Sequence, residues 1–187
     1  MAVQKSVEKW KMKRWFNVYA PALFGDVMIG EIPGTDEKAM PGRVIKVNMS
    51  WVTHNPQHSF ITIAMKVSDA NGDAVRTQLA SIEQTYSYIH SLVKRGQSAI
   101  YTVDGLRDKN GRDFTLKLLI MTTTKIATPK KTAIRKTMSA FLKEYALTMD
   151  TDEFVKSILD SRLQAEAVKR IMNIAEINKL ELKMIEL

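Results

Sequence analysis

The 187-residue chain is 45% hydrophobic and 26% charged, enough apolar material for one ordinary domain with a small helical appendage, and it is not a disordered polymer. Its 28 Lys and Arg against 20 Asp and Glu leave a net charge of +8, which points to a polyanionic partner, nucleic acid before anionic membrane. The lack of Cys excludes disulfides, thiol catalysis, Cys-ligated zinc and iron–sulfur clusters, and the longest apolar run, Leu118 to Met121, is far too short for a membrane span.

Residues 1–16 show no apolar period and read as an extended basic, aromatic arm without the apolar stretch of a signal peptide. Over residues 1–19, Lys5, Lys9, Lys11, Lys13 and Arg14 stand against one acid, Glu8, net +4. Trp10, Trp15, Phe16 and Tyr19 interleave with these cations, Phe16 and Tyr19 suiting a core. From residue 17 to 124 short strands are expected. Residues 43–51 alternate, with Ile45, Val47, Met49 and Trp51 on one side, and 59–67 alternate with Ile61, Ile63, Met65 and Val67. Asn71-Gly72 and Asn110-Gly111 each separate strand-like runs and predict two-residue hairpin turns. In the second hairpin that register places Val103 opposite Leu118, Tyr101 opposite Ile120 and Asp104 opposite Lys117. Between them the stripe Ile82, Tyr86, Ile89, Val93 predicts a helix over about 82–95, with Lys94, Arg95 and Gly96 closing its end.

Residues 125–131 read as a basic linker. Residues 125–136 hold Lys125, Lys130, Lys131, Arg135 and Lys136 and no acid, net +5, so the remainder of the chain, 18 basic against 19 acidic groups, is nearly neutral. Residues 132–187 predict three helices, about 132–149, 152–160 and 162–176, then a strand from KLELKMIEL. Thr151 is placed to cap the second helix, and Ser161 with Gln164 has capping-box spacing at the third. The fold class expected is α+β: an antiparallel β-barrel or strongly curved sheet with one inserted helix, a three-helix C-terminal part and a final strand.

Catalytic patterns are absent. His54 and His58 flank Pro56 and lack a third ligand, so no metal is expected, and no phosphate loop, dinucleotide motif or nucleophile elbow implies a cofactor. Asp36-Glu37 or Asp104 would have to hold a metal in a nuclease, and Asp104 is expected to pair with Lys117 instead. The nucleic-acid signal is sharper. Lys130, Lys131, Arg135 and Lys136 sit at a helix start, the positive pole of the macrodipole, where each cation costs ~0.3–1 kcal/mol unless an outside anion compensates. Phosphate is the anion that such a cluster fits.

The stretches KWKMKRWFNVYAP (Lys9 to Pro21), MIGEIPG (Met28 to Gly34), PGRVIKV (Pro41 to Val47), YSYIHSLVKRGQS (Tyr86 to Ser98), DGLRDKNGRDF (Asp104 to Phe114) and AIRKTM (Ala133 to Met138) resemble, in this order, the archaeal and eukaryotic small-subunit ribosomal protein family S-three-Ae, also called S-one-e. The resemblance implies a structural, non-enzymatic, rRNA-binding constituent of the cytoplasmic ribosome. It further implies a place on the platform near the mRNA exit, monomeric, beside other small-subunit proteins, with mRNA as an optional contact and no membrane. The basic positions matched are Lys9, Lys11, Lys13, Arg14, Arg43, Lys94, Arg95, Lys125, Arg135 and Lys136; Trp10, Lys130 and Lys131 join them as candidate RNA contacts. Around the inserted helix, with His90, Lys94, Arg95 and then Gly96-Gln97, the chain is less basic than the family pattern, and KIATPKK departs from the Arg-containing linker of that pattern, so fewer rRNA contacts are expected at both; the last residues, IAEINKLELKMIEL, lack the Pro and several of the basic residues of the pattern. The alternative is a free single-strand-binding module of OB-like type. It needs aromatic platforms on an open sheet face, where the candidates, Trp51 and Phe60, suit a core.

Overall fold

The computed structural model describes residues 13–187, so the candidate contacts Lys9, Trp10 and Lys11 lie outside the described residues. The strands are β1 (Arg14–Tyr19), β2 (Met28–Gly34), β3 (Val44–Asn48), β4 (Ile61–Asn71), β5 (Ala74–Gln84), β6 (Ala99–Arg107), β7 (Asp113–Thr122) and β8 (Ile177–Glu186). The helices are α1 (Met49–Thr53), α2 (Tyr86–Leu92), α3 (Thr128–Ala146), α4 (Thr151–Leu159) and α5 (Arg162–Ile171). The class is α+β with C-terminal helices followed by a last strand, as expected. The closed or strongly curled antiparallel barrel is not observed. The eight strands form an open, mixed sheet in the order β2-β1-β5-β8-β7-β6, with β3 and β4 off that path. Parallel pairing enters where Asn17, Val18 and Tyr19 of β1 meet Ala74, Val75 and Arg76 of β5.

The chain divides into two compact units, one ending at Ala80 and the other running from Ser81 to Leu187. In the first, Phe16, Met40, Val67 and Val75 form a buried cluster with Ile32, Ile45 and Ala70 against it. Gly34 closes it: a Cβ there would overlap Met40 Cε and stand 3.0 Å from Phe16 Cε2. Tyr19, expected in the core with Phe16, is half-buried, and its carbonyl accepts the Thr77 hydroxyl at 2.7 Å. The alternation over 43–51 stops at Asn48, whose Oδ1 accepts the Ser50 N–H at 2.9 Å and starts α1. Met49 and Val52 are buried there, while Trp51 is 72% exposed and Phe60 is also exposed, correcting their placement in a core. The turn after β4 consists of Gly72 and Asp73, one residue later than Asn-Gly predicts, because Gly72 takes the positive φ (60°) at the first turn position.

In the second unit the β6–β7 register is one residue off the expectation. Val103 faces Lys117, Tyr101 faces Leu119 and Asp104 faces Leu116. The cause is a five-residue loop, 108–112, in place of a two-residue turn. Asp108 Oδ1 accepts the N–H groups of Asn110 and Arg112, both at 2.8 Å, and Gly111 supplies a φ of 82°. The one-residue slip exchanges the faces, burying Ile100, Thr102, Asp104 and Leu106 of β6 together with Phe114, Leu116, Leu118 and Ile120 of β7. The predicted Asp104–Lys117 pair does not form; Lys117 Nζ meets Glu186 Oε1 at 2.8 Å.

The strand β8 lies between β5 and β7. Ile82 of β5 faces Ile185, and Leu118 and Ile120 of β7 face Leu182 and Leu180. A register shift opposite Lys117 and Leu118 inserts an extra residue at Lys183, so Ile185 rather than Met184 continues the buried set. Ile82 is thus a strand residue, and the inserted helix spans only Tyr86–Leu92. The helix α3 begins at Thr128, with Pro129 in its first turn, so Lys130 and Lys131 are helical instead of linker residues. Its face of Ile134, Met138, Phe141 and Leu142 is buried as the period predicts, and Leu163, Ala167 and Ile171 do the same for α5. Neither expected cap forms. Thr151 is the first helical residue of α4 and donates its hydroxyl to Asp108 Oδ2 at 2.5 Å. Ser161 adopts a left-handed conformation (φ 60°), and Gln164 Nε2 donates to the Ile158 carbonyl at 2.9 Å.

Candidate nucleic-acid interface

The basic segment 125–136 occupies the loop before α3 and the first turns of that helix. No acid is present in the first turn, and the capping position, Ala127, offers no side-chain acceptor. The helix N–H groups and the lysines therefore present the same sign. Lys125, Lys130 and Lys136 are exposed, and Lys131 is half-buried. None of the four has an ion-pair partner among the described residues. Arg135 is exposed and donates from Nε to the Tyr101 carbonyl at 3.3 Å, which ties α3 to β6. Ile134 and Met138 anchor the opposite side of the helix with no exposure, so the cations point outward.

A hydrogen-bonded node brings a second basic pair to the same end of this unit. Ser98 N–H donates to Thr122 Oγ1, Thr122 N–H donates to the Ser98 carbonyl, and Ile126 N–H donates to Ser98 Oγ, each at 3.1 Å. The Thr122 hydroxyl donates to the Thr124 carbonyl at 2.6 Å. Ser98 and Thr122 are buried, so these bonds are shielded from water. The node clamps the start of β6 to the loop that enters α3. Lys94 and Arg95, four and three residues before Ser98, and Lys125, one before Ile126, flank it; all three are exposed.

Among the remaining candidates, Lys13 is exposed, and Arg14 is occupied within the first unit. Its guanidinium meets Glu37 Oε1 at 2.9 Å and Asp73 Oδ1 at 3.5 Å, and lies 4.7 Å from the Phe16 ring centroid. Arg43 donates to the Pro33 carbonyl at 2.9 Å and approaches Met40 Sδ at 3.5 Å. Both arginines therefore hold their own loops together. Among the described residues, the cations Lys94, Arg95, Lys125, Lys130, Lys131 and Lys136 carry no such internal duty.

No group of three or more metal-ligating side chains occurs among the described residues. His58 Nδ1 bonds Thr53 Oγ1 at 2.9 Å, and the His90 ring packs against Tyr86, tilted by 45°. Glu37 is taken by Arg14. Asp104 is 8% exposed, its Oδ2 has no hydrogen-bond partner, and it stands alone rather than in a carboxylate cluster. A concavity of about 660 Å³ in the second unit is lined by Leu106, Phe114, Thr115, Lys143, Leu147 and Glu186 beside the Arg107–Asp113 ion pair, and Glu186 is engaged by Lys117 at 2.8 Å. No helix among the described residues is long and apolar enough to cross a membrane.

The model of the ribosomal S3Ae family matches residues 1–187. The chain belongs to the ribosomal S3Ae family. It is similar to the small ribosomal subunit protein eS1 of Pyrobaculum aerophilum, 30% identical over 179 residues covering 96% of this chain and 81% of that protein. It is 27% identical to eS1 of Pyrobaculum arsenaticum over the same coverage, and 28% identical to eS1 of Saccharolobus islandicus over 94% of this chain and 85% of that protein. As an S3Ae-family member the chain is a ribosomal protein of the small subunit, a structural and non-enzymatic constituent.

Two features of this S3Ae-family member escape a reading of its charges. The Ser98–Thr122 node is invisible because neither residue marks itself in the sequence; only the Lys94-Arg95 and Lys125 runs on either side hint at it. The exposed Tyr86 is hidden in the predicted apolar stripe of a longer helix.

Proposed function

We propose that the chain binds small-subunit rRNA mainly through phosphate contacts on the platform near the mRNA exit, and that it supports subunit assembly beside neighbouring ribosomal proteins. The observation that carries this reading is the start of α3. Among the described residues Lys125, Lys130, Lys131 and Lys136 have no acid to pair with, and Lys130 and Lys131 stand in the first turn, on the pole of the helix that repels them. A phosphate meets both the free N–H groups and the side chains. Lys94 and Arg95 join this surface through the Ser98–Thr122 node. Arg14 and Arg43, spent on internal contacts, rank below them.

Reversing Lys130, Lys131, Arg135 and Lys136 to Glu removes the protein from small subunits in sucrose-gradient sedimentation. Co-sedimentation of that variant at the wild-type level refutes the reading. The OB-like module is the second reading, favoured by the 72% exposure of Trp51, although this residue sits on α1 and not on a sheet face. Tight binding to short unstructured oligonucleotides without preference for folded rRNA is its signature.

A further inference from the structure

We infer that α2 is a stacking platform for an unpaired rRNA base, with Tyr86 as the stacking residue and Lys94 and Arg95 on the flanking phosphates. The inference rests on the rRNA-binding reading above and deepens it, adding recognition of a single-stranded nucleotide to sequence-independent phosphate contact.

The helix has a docked side and a free side. On the docked side the Tyr88 hydroxyl donates to Glu181 Oε1 at 3.2 Å and accepts from Lys179 Nζ at 2.9 Å. Lys179 and Glu181 bond each other at 2.7 Å, and Gln84 Nε2 donates to Glu181 Oε2 at 3.0 Å. These contacts fix the helix to β8 by polar bonds, since α2 has no fully buried residue. On the free side, Tyr86 and His90, one turn apart, face each other with ring centroids 4.0 Å apart and planes at 45°. Tyr86 is 74% exposed. His90 packs against the tyrosine ring and supports it, while Tyr86 stays largely open to solvent. A held aromatic ring loses less freedom on stacking than a free one, so binding costs less. His90, Lys94 and Arg95 are exposed, and the Ser98–Thr122 node ties the start of β6, which follows this stretch, to the loop that enters α3. An exposed aromatic ring on a helix that leads into two exposed cations matches a base joined to its phosphates. An apolar protein side chain would leave Lys94 and Arg95 unmatched.

The test uses the intact protein with two probes: the organism's own small-subunit rRNA, and a single-stranded oligoribonucleotide carrying aminopurine, whose fluorescence falls when it stacks. The wild-type protein quenches the aminopurine. Tyr86→Ala abolishes the quenching and weakens rRNA binding by roughly 5- to 100-fold, with the salt dependence unchanged, and Tyr86→Trp restores both. Undiminished quenching and rRNA affinity in Tyr86→Ala overturn the stacking platform. If the Lys130, Lys131, Arg135 and Lys136 reversal still loses rRNA, that failure leaves the phosphate reading standing. If neither variant changes rRNA binding, both fall. Loss of a ribosomal-protein contact in Tyr86→Ala at full rRNA affinity assigns α2 to a protein neighbour and also overturns the inference.

Discussion

Asp108 shows how one side chain decides a register. Its carboxylate accepts the N–H groups of Asn110 and Arg112 and the hydroxyl of Thr151. The bond from Thr151 leads in holding its pKa below the usual carboxylate range, against desolvation, with the backbone N–H groups adding to it. A group whose folded pKa is depressed contributes all its stability above the unfolded value, about 3.9, and loses it as pH falls through the folded value. Asp108→Asn is therefore expected to melt below wild type at neutral pH, and the gap should close as melts are run at successively lower pH under 4 or so. A gap that stays constant into acid would mean that the charge is irrelevant and only the shape matters. In the sequence, Asn110-Gly111 correctly marks the turn. The loop length is not legible there, because it depends on the partner Asp108 finds in α4, more than 40 residues away.

Elements read well where their period is long and their partners are near. The buried face of α3 is visible as a stripe from Ile134 to Leu142 and is buried as such. Its first turn is not, since Pro129 suggests a linker until it is recognised as tolerated at a helix start. The α2 region misleads for the opposite reason. Ile82 falls on the same helical stripe as Tyr86 and Ile89, yet its burial comes from Ile185 in a strand about 100 residues later. The cations at the start of α3 carry a consequence for the free protein. Lys130→Glu and Lys131→Glu should each raise its stability by about 0.3–1 kcal/mol in chemical denaturation, because an acid suits that pole. The same changes should weaken rRNA binding. A variant that gains stability and keeps its rRNA affinity would separate this helix from the RNA.

For the whole molecule, class and order of elements are legible from patterning, whereas closure of the sheet is not. The pairing of β1 with β5 in parallel joins segments nearly 60 residues apart, and no local signal announces it. The two charge runs are legible in full, but which cations are free is a property of the fold: Arg14 is spent on Glu37 and Asp73, Lys130 is not. Binding to rRNA should fall steeply with salt. Each phosphate-contacting lysine reversed should flatten the logarithmic slope by roughly 0.7–0.9, as read by filter binding over a salt series; an unchanged slope would remove that lysine from the contact set. The position of β8 has a consequence of another kind. It is made after β5, β7 and three helices, yet it fills the gap between those two strands. While the chain is being synthesised, both flanking edges wait with their amides and carbonyls unmatched, and Ile82, Leu118 and Ile120 wait for cover. A message cut short before codon 177 thus yields a product that cannot complete its sheet, and translation to the last strand becomes the condition for a copy fit to be built into a subunit.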